Sequence, residues 1–126
     1  HRFDNTGLRH KGYFSLQGKA VFKEGVRTMT RLTQEALAAN HLSVEDVDWF
    51  IYHQANAAML RMVAEKVGIP PAKNLMNIDQ LANTTGATIP SVLHMFIENG
   101  TIQRGDTICC VGFGGGITSG SIVFEY

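Results

Sequence analysis

The feature that most restricts the fold of this chain is the alternation of short apolar runs with longer stretches of helical periodicity. Trp49-Phe50-Ile51-Tyr52 is unbroken by a polar residue, as expected of a strand covered on both faces. Thr107 to Val111 is likewise strand-like and apolar, and Asn74 to Ile78 is expected to form a short strand. Around them, apolar residues recur every three or four positions. Lys19 to Ala39 carries Phe22, Val26, Met29, Leu32 and Ala36, and Ala55 to Val67 carries Met59, Met62 and Val63. Thr84 to Asn99 carries Ile89, Val92, Leu93, Phe96 and Ile97, with its regular part starting near Pro90. Asn40, Gly68 followed by Pro70-Pro71, and Gly100 are the predicted stops. Ser43 and Asp46 predict a short capped turn. With an extended stretch at Tyr13 to Leu16 and a last strand at Ile117 to Tyr126, strands and helices alternate through most of the chain. That order predicts an α/β fold with a mainly parallel sheet covered by helices. No repeat or linker interrupts it, so residues 1–126 are expected to form one domain.

Composition removes several classes of function. Eleven basic and eleven acidic residues cancel, which argues against an electrostatic nucleic-acid binder. No apolar run reaches the length of a membrane span. The opening His1-Arg2-Phe3-Asp4 has no apolar segment of a signal peptide and no initiator methionine, so a piece of a longer chain is expected. The two cysteines, Cys109 and Cys110, are adjacent and cannot close a loop. Neither has the spacing of a zinc ligand, and a reducing, cytoplasmic setting is the simplest reading. Both lie in an apolar strand and are expected in the core.

Three places could carry chemistry. His53 directly follows the buried strand, and the C-terminal ends of parallel strands are where α/β proteins meet their ligands. A lone histidine is nevertheless more often structural. Asn83 in Leu81-Ala82-Asn83-Thr84-Thr85-Gly86 reads, from the residues alone, as a helix cap. Gly112-Phe113-Gly114-Gly115-Gly116 fails the dinucleotide fingerprint, because position 117, where a third glycine would fall, is isoleucine. It is either a turn between antiparallel strands or a bare backbone that approaches a reacting carbonyl.

Taken in order, these segments resemble a known family. Asp48-Trp49-Phe50-Ile51-Tyr52-His53-Gln54-Ala55-Asn56 looks like the strand and His-Gln-Ala-Asn motif of the ketoacyl synthase III enzymes. Ala82-Asn83-Thr84-Thr85 looks like their Gly-Asn-Thr-Ser motif, thirty positions after the histidine. Gly112 to Gly116 resembles their C-terminal glycine loop, and Gly18 to Lys23 the opening of a first helix. The resemblance covers nearly the whole chain. It implies the C-terminal half of a thiolase-like fold, βαβαβαββ, with a mainly parallel mixed sheet.

It also implies a Cys-His-Asn site whose cysteine sits in an N-terminal half outside this chain. His53 and Asn83 would be the catalytic donors, and the Gly115 N–H an oxyanion donor. Gly18, Phe22, Ala55, Asn56 and Phe113 match positions near the pantetheine arm and pocket wall. The implied substrates are acyl-CoA and malonyl-acyl carrier protein. The coenzyme A thioester is a substrate, and no cofactor or metal is expected. A homodimer of the complete enzyme is implied. Ala58 stands where many relatives carry an arginine, with Arg61 one helical turn on; Ala82 replaces glycine and Thr85 serine. A condensing enzyme of specialised metabolism and a non-catalytic partner subunit are the alternatives.

Overall fold

The computed structural model describes Arg2–Phe3, Arg9–His10 and residues 18–126; the stretch expected at Tyr13 to Leu16 lies outside them. Strands β1 (Arg2–Phe3) and β2 (Arg9–His10) form a small antiparallel pair. The body follows as helix α1 (Gly18–Ala39), strand β3 (Trp49–Tyr52), helix α2 (Ala57–Val67), strand β4 (Asn74–Leu75), the short helix α3 (Ile78–Leu81), helix α4 (Thr88–Glu98), and strands β5 (Thr107–Gly114) and β6 (Thr118–Glu125). The four later strands form one sheet in the order β4-β3-β5-β6. Strand β3 is parallel to both its neighbours, and β6 returns antiparallel to β5.

The side-chain alternation of β3 explains the layering. Phe50 and Tyr52 point into a core made with Val26, Met29 and Leu37 of α1 and Leu60 and Val63 of α2. Trp49 and Ile51 point the other way, against Val92, Leu93 and Phe96 of α4. Phe50, Ile51 and Tyr52 are completely buried, each contributing on the order of 2 kcal/mol of apolar burial. The Tyr52 hydroxyl meets Thr33 Oγ1 at 3.0 Å, and Thr33 itself donates to Met29 O at 2.7 Å. Thr33 has one proton, so Tyr52 is the donor in that pair. At the other end of the strand the register of β3 on β5 is clamped: Asp48 Oδ2 accepts from Thr107 N at 2.7 Å, and Trp49 Nε1 donates to Asp106 Oδ2 at 2.8 Å.

The limits of several elements differ from the sequence expectation, each for a local reason. Helix α1 ends at Ala39 as expected, but the left-handed residue is His41 (φ 54°); the Asn40 amide instead donates to Ala36 O. The Ser43 turn is capped by its partner, since Ser43 N and Oγ both donate to Asp46 Oδ2. Helix α2 starts at Ala57 because Asn56 is its cap, its Oδ1 accepting from Ala58 N and Met59 N. Gly68 closes it at φ 86°. The strand expected over Asn74 to Ile78 stops at Leu75, because Asn77 turns inward to polar partners and Ile78 begins α3. Thr85–Ala87 is a 3-10 turn and α4 proper begins at Thr88, placing Pro90 in its first turn, where no N–H is needed. The last strand starts at Thr118 and is mostly exposed rather than regularly alternating.

Cys109 and Cys110 are buried within β5 and face opposite cores. The two faces of the sheet are unequally covered. Among the described residues, helices α1 and α2 close one face, whereas α4 is the helix packed on the other. Beside it, Ile89, Leu93, Cys110, Ile122 and Phe124 line an open apolar groove of about 340 Å³, and Ile122 is 58% exposed. Exposed apolar surface of this kind drives association. Residues 1–126 produced alone are therefore expected to sediment as species larger than a monomer, with Ile122→Lys reducing the association. A monodisperse monomer at high concentration would contradict this.

Candidate functional site

The C-terminal ends of β3, β4 and β5 lie side by side, and His53 and the glycine hairpin leave the sheet at that edge. His53 is the first residue beyond β3. Its N–H still pairs with Val111 O at 2.9 Å, so the ring is carried by backbone in register with β5. Ala55 N bonds back to His53 O at 2.8 Å, closing a tight turn before α2.

Gln54 fixes that turn. It is fully buried, its Nε2 donating to Tyr52 O at 2.7 Å and its Oε1 accepting from Asn77 N at 3.1 Å. Asn77, buried in turn, donates through Nδ2 to Ser91 Oγ at 3.2 Å, and Ser91 Oγ donates to Thr88 O at 2.8 Å. Thr88 Oγ1 lies 2.7 Å from His53 Nδ1. The circuit thus closes on the residue next to where it began, joining the loop after β3, the loop after β4 and the first turn of α4. Buried polar groups linked in this way hold one arrangement, because breaking any link strands a partner. The sequence placed Gln54 in the His-Gln-Ala-Asn motif without a role for it and did not single out Asn77, Thr88 or Ser91. The available signal was a glutamine directly after a buried strand and polar residues flanking apolar stripes.

Asn83 sits on the exposed loop that leads into α4. Its Oδ1 accepts from Thr85 N at 2.9 Å, so it does cap a turn, although a 3-10 turn rather than the helix itself. Committing the oxygen fixes the amide plane. Among the described residues its Nδ2 makes no hydrogen bond, leaving two N–H donors for a ligand. The backbone around it is strained: Ala82 has φ 55°, ψ −158° and Thr85 has φ 55°, conformations that a side chain disfavours.

The glycine segment is in fact the antiparallel hairpin between β5 and β6. Gly112 and Gly114 lie in β5, Gly115 opens the exposed turn, and Gly116 has φ 75°. Phe22, Ala55 and Phe113 are half-buried against the α1–α2 core. Gly25 permits this close packing, since a Cβ there would lie 2.9 Å from Met59 Sδ and 3.3 Å from Phe113 Cε1. Gly18 opens α1 and is exposed, as is the capping Asn56.

The electrostatics separate a neutral base from inert thiols. Burial lowers the His53 pKa below its ordinary 6.5, so the ring is neutral at pH 7. Burial pushes the Cys109 thiol up to about 11 and Cys110 up to about 12. Both are fully protonated at neutral pH and unsuited to nucleophilic attack. The site therefore offers hydrogen-bond donors and a neutral imidazole, with no reactive thiol among the described residues.

A family model described as 3-oxoacyl-[acyl-carrier-protein (ACP)] synthase III C terminal matches residues 37–126. The chain belongs to that family. A synthase III of Alkalilimnicola ehrlichii is 41% identical over 114 residues, covering 90% of this chain and 35% of the relative. A Staphylococcus saprophyticus synthase III is 36% identical over 129 residues, covering 98% and 41%. The Aquifex aeolicus synthase III crystal structure superposes with a TM-score of 0.88 at 37% identity, over 98% of this chain and 39% of that one. That of Pseudomonas aeruginosa gives 0.89 at 28% identity, over 100% and 38%. The fold is thus the C-terminal part of a thiolase-like synthase III, and the chain spans less than half the length of these relatives.

The strain at Ala82 can be tested directly. Ala82→Gly relieves an unfavourable φ while adding freedom to the unfolded chain, and is expected to stabilise the protein by about 1 kcal/mol. Thermal unfolding should show a raised midpoint; an unchanged or lowered midpoint would mean that the loop is not strained.

Proposed function

We propose that this chain is the C-terminal half of a 3-oxoacyl-acyl carrier protein synthase III, which starts fatty acid synthesis by condensing an acyl-CoA primer with malonyl-acyl carrier protein. The observation that carries this reading is the hydrogen bond between His53 Nδ1 and Thr88 Oγ1, which ties a neutral histidine at the end of β3 to the first turn of α4, just beyond the loop that carries the Asn83 amide, in a chain of this family.

The chemistry divides between the halves. A cysteine thiolate of the N-terminal half attacks the acyl-CoA carbonyl, forming a thioester and releasing the coenzyme A thiol. The Gly115 N–H, on the glycine turn, stabilises the oxyanion that develops at that carbonyl. Malonyl-carrier protein then replaces coenzyme A. Loss of carbon dioxide leaves an electron pair shared between the α-carbon and the thioester oxygen. His53 and Asn83 each donate an N–H to that oxygen, lowering the energy of the enolate as it forms. Its α-carbon attacks the acyl-cysteine, expelling the thiolate and giving the 3-oxoacyl product. A neutral histidine suits this role, since it donates one hydrogen bond without surrendering a proton.

Gly18, Phe22, Ala55, Asn56 and Phe113 form the wall and mouth for the pantetheine arm, with no metal or bound cofactor. The N-terminal half covers the apolar groove beside α4, and two complete chains form a cytoplasmic homodimer. No helix among the described residues is long and apolar enough to cross a membrane.

Incubating the full-length protein with a short acyl-CoA should add one acyl mass, mapped by peptide analysis to a cysteine outside residues 1–126. Absence of an adduct, or an adduct on Cys109 or Cys110, would overturn the proposal.

A further inference from the structure

We infer that Thr88 is a positioning residue that sets the tautomer of His53, keeping the ring proton on Nε2 by donating its own hydroxyl proton to Nδ1. The argument is one of proton counting. Thr88 is the first residue of α4 and is 2% exposed. Its Oγ1 lies 2.7 Å from His53 Nδ1 and, among the described residues, has no second hydrogen-bond partner; the bond from Ser91 goes to the Thr88 backbone carbonyl. A hydroxyl carries one proton, and a neutral imidazole carries one between its two nitrogens.

Only two arrangements fit these groups. If Nδ1–H donates to Oγ1, the threonine proton is left buried without an acceptor. If Oγ1–H donates to Nδ1, both groups are satisfied and the imidazole proton resides on Nε2. Leaving a buried hydroxyl proton unpaired disfavours the first arrangement by about tenfold or more. The alternative of a charged ring, with both nitrogens protonated, leaves the same proton stranded. It is opposed further by burial of the ring and by the positive end of α4 beside it.

The geometry also explains why Thr88 cannot drift from the ring. Its backbone carbonyl is held by Ser91, Ser91 by Asn77, and the Asn77 N–H by Gln54, the residue after His53. Helix α4 and the β3 loop are thus tied at two points, and the hydroxyl-to-imidazole bond is one of them. The consequence for catalysis rests on the proposed function: an Nε2–H is the donor that enolate stabilisation requires, whereas the opposite tautomer would present a lone pair to the developing negative charge.

The test uses full-length protein carrying ¹⁵N-labelled histidine, with the His53 signals assigned by their loss in His53→Gln. Long-range ¹H–¹⁵N correlations distinguish protonated from unprotonated ring nitrogens. In the unmodified protein at pH 7.5, Nδ1 should be unprotonated and Nε2 protonated; a protonated Nδ1 would overturn the inference without any variant being needed. Thr88→Val, which keeps shape and removes the hydroxyl, should move both resonances toward a tautomer mixture, and Thr88→Ser should restore them. Unmoved resonances in a folded Thr88→Val protein would also overturn it. Malonyl-thioester decarboxylation should fall about tenfold in kcat in Thr88→Val with little change in KM, and recover in Thr88→Ser. If the resonances respond to Thr88 but His53→Ala leaves decarboxylation intact, the tautomer assignment stands and the proposed function fails.

Discussion

Strand β3 has a parallel neighbour on each edge and packed helices on each face, so neither a shift in register nor a rotation is open to it. A one-residue slip would exchange Phe50 and Tyr52 with Trp49 and Ile51 between two differently shaped cores. The Asp48 and Trp49 hydrogen bonds to the β5 approach reinforce the same alignment. The position of His53 follows from where this strand ends. His53 emerges at its C-terminal edge with its N–H still on Val111, and from there the site is built outward.

Beyond the sheet, polar rather than apolar contacts hold the geometry. In the loops after β3 and β4 and at the start of α4, Ala55 and Met76 pack against one core and Ile89 against the other, so apolar packing does not by itself join the three segments. Gln54, Asn77, Ser91 and Thr88 close that gap with a ring of hydrogen bonds in buried surroundings, where each bond is strong and its loss costly. Asn83 is placed differently, on an exposed loop with two non-glycine residues at positive φ. Strain at such a loop is tolerated because the segments on either side are fixed. One donor is thus held by a buried network and the other by a strained turn.

Much of this was legible in the sequence. Unbroken apolar runs marked β3 and β5, and helical spacing with Gly68 and Gly100 marked α2 and α4, because burial and backbone freedom are written locally. The motif order pointed to the family, and the family model agrees. Less legible were the segments whose shape depends on distant partners. Asn77 ends β4 early through contacts with Gln54 and Ser91, far away in sequence. Asn83 read as a cap and is one, and the role proposed for its amide N–H groups rests on the family resemblance rather than on any local pattern. Thr88 carried no signal at all, since a threonine near a helix start is commonplace and its partner is set by the fold.

The account assigns these 126 residues the donors for decarboxylation and leaves the acyl acceptor to the other half. Measuring the two half-reactions separately in full-length His53→Ala and Asn83→Ala proteins tests that division most directly. Acylation of the cysteine by acyl-CoA should persist, while malonyl-thioester decarboxylation falls by about 10²–10³ in each. Undiminished decarboxylation in either variant would contradict the account.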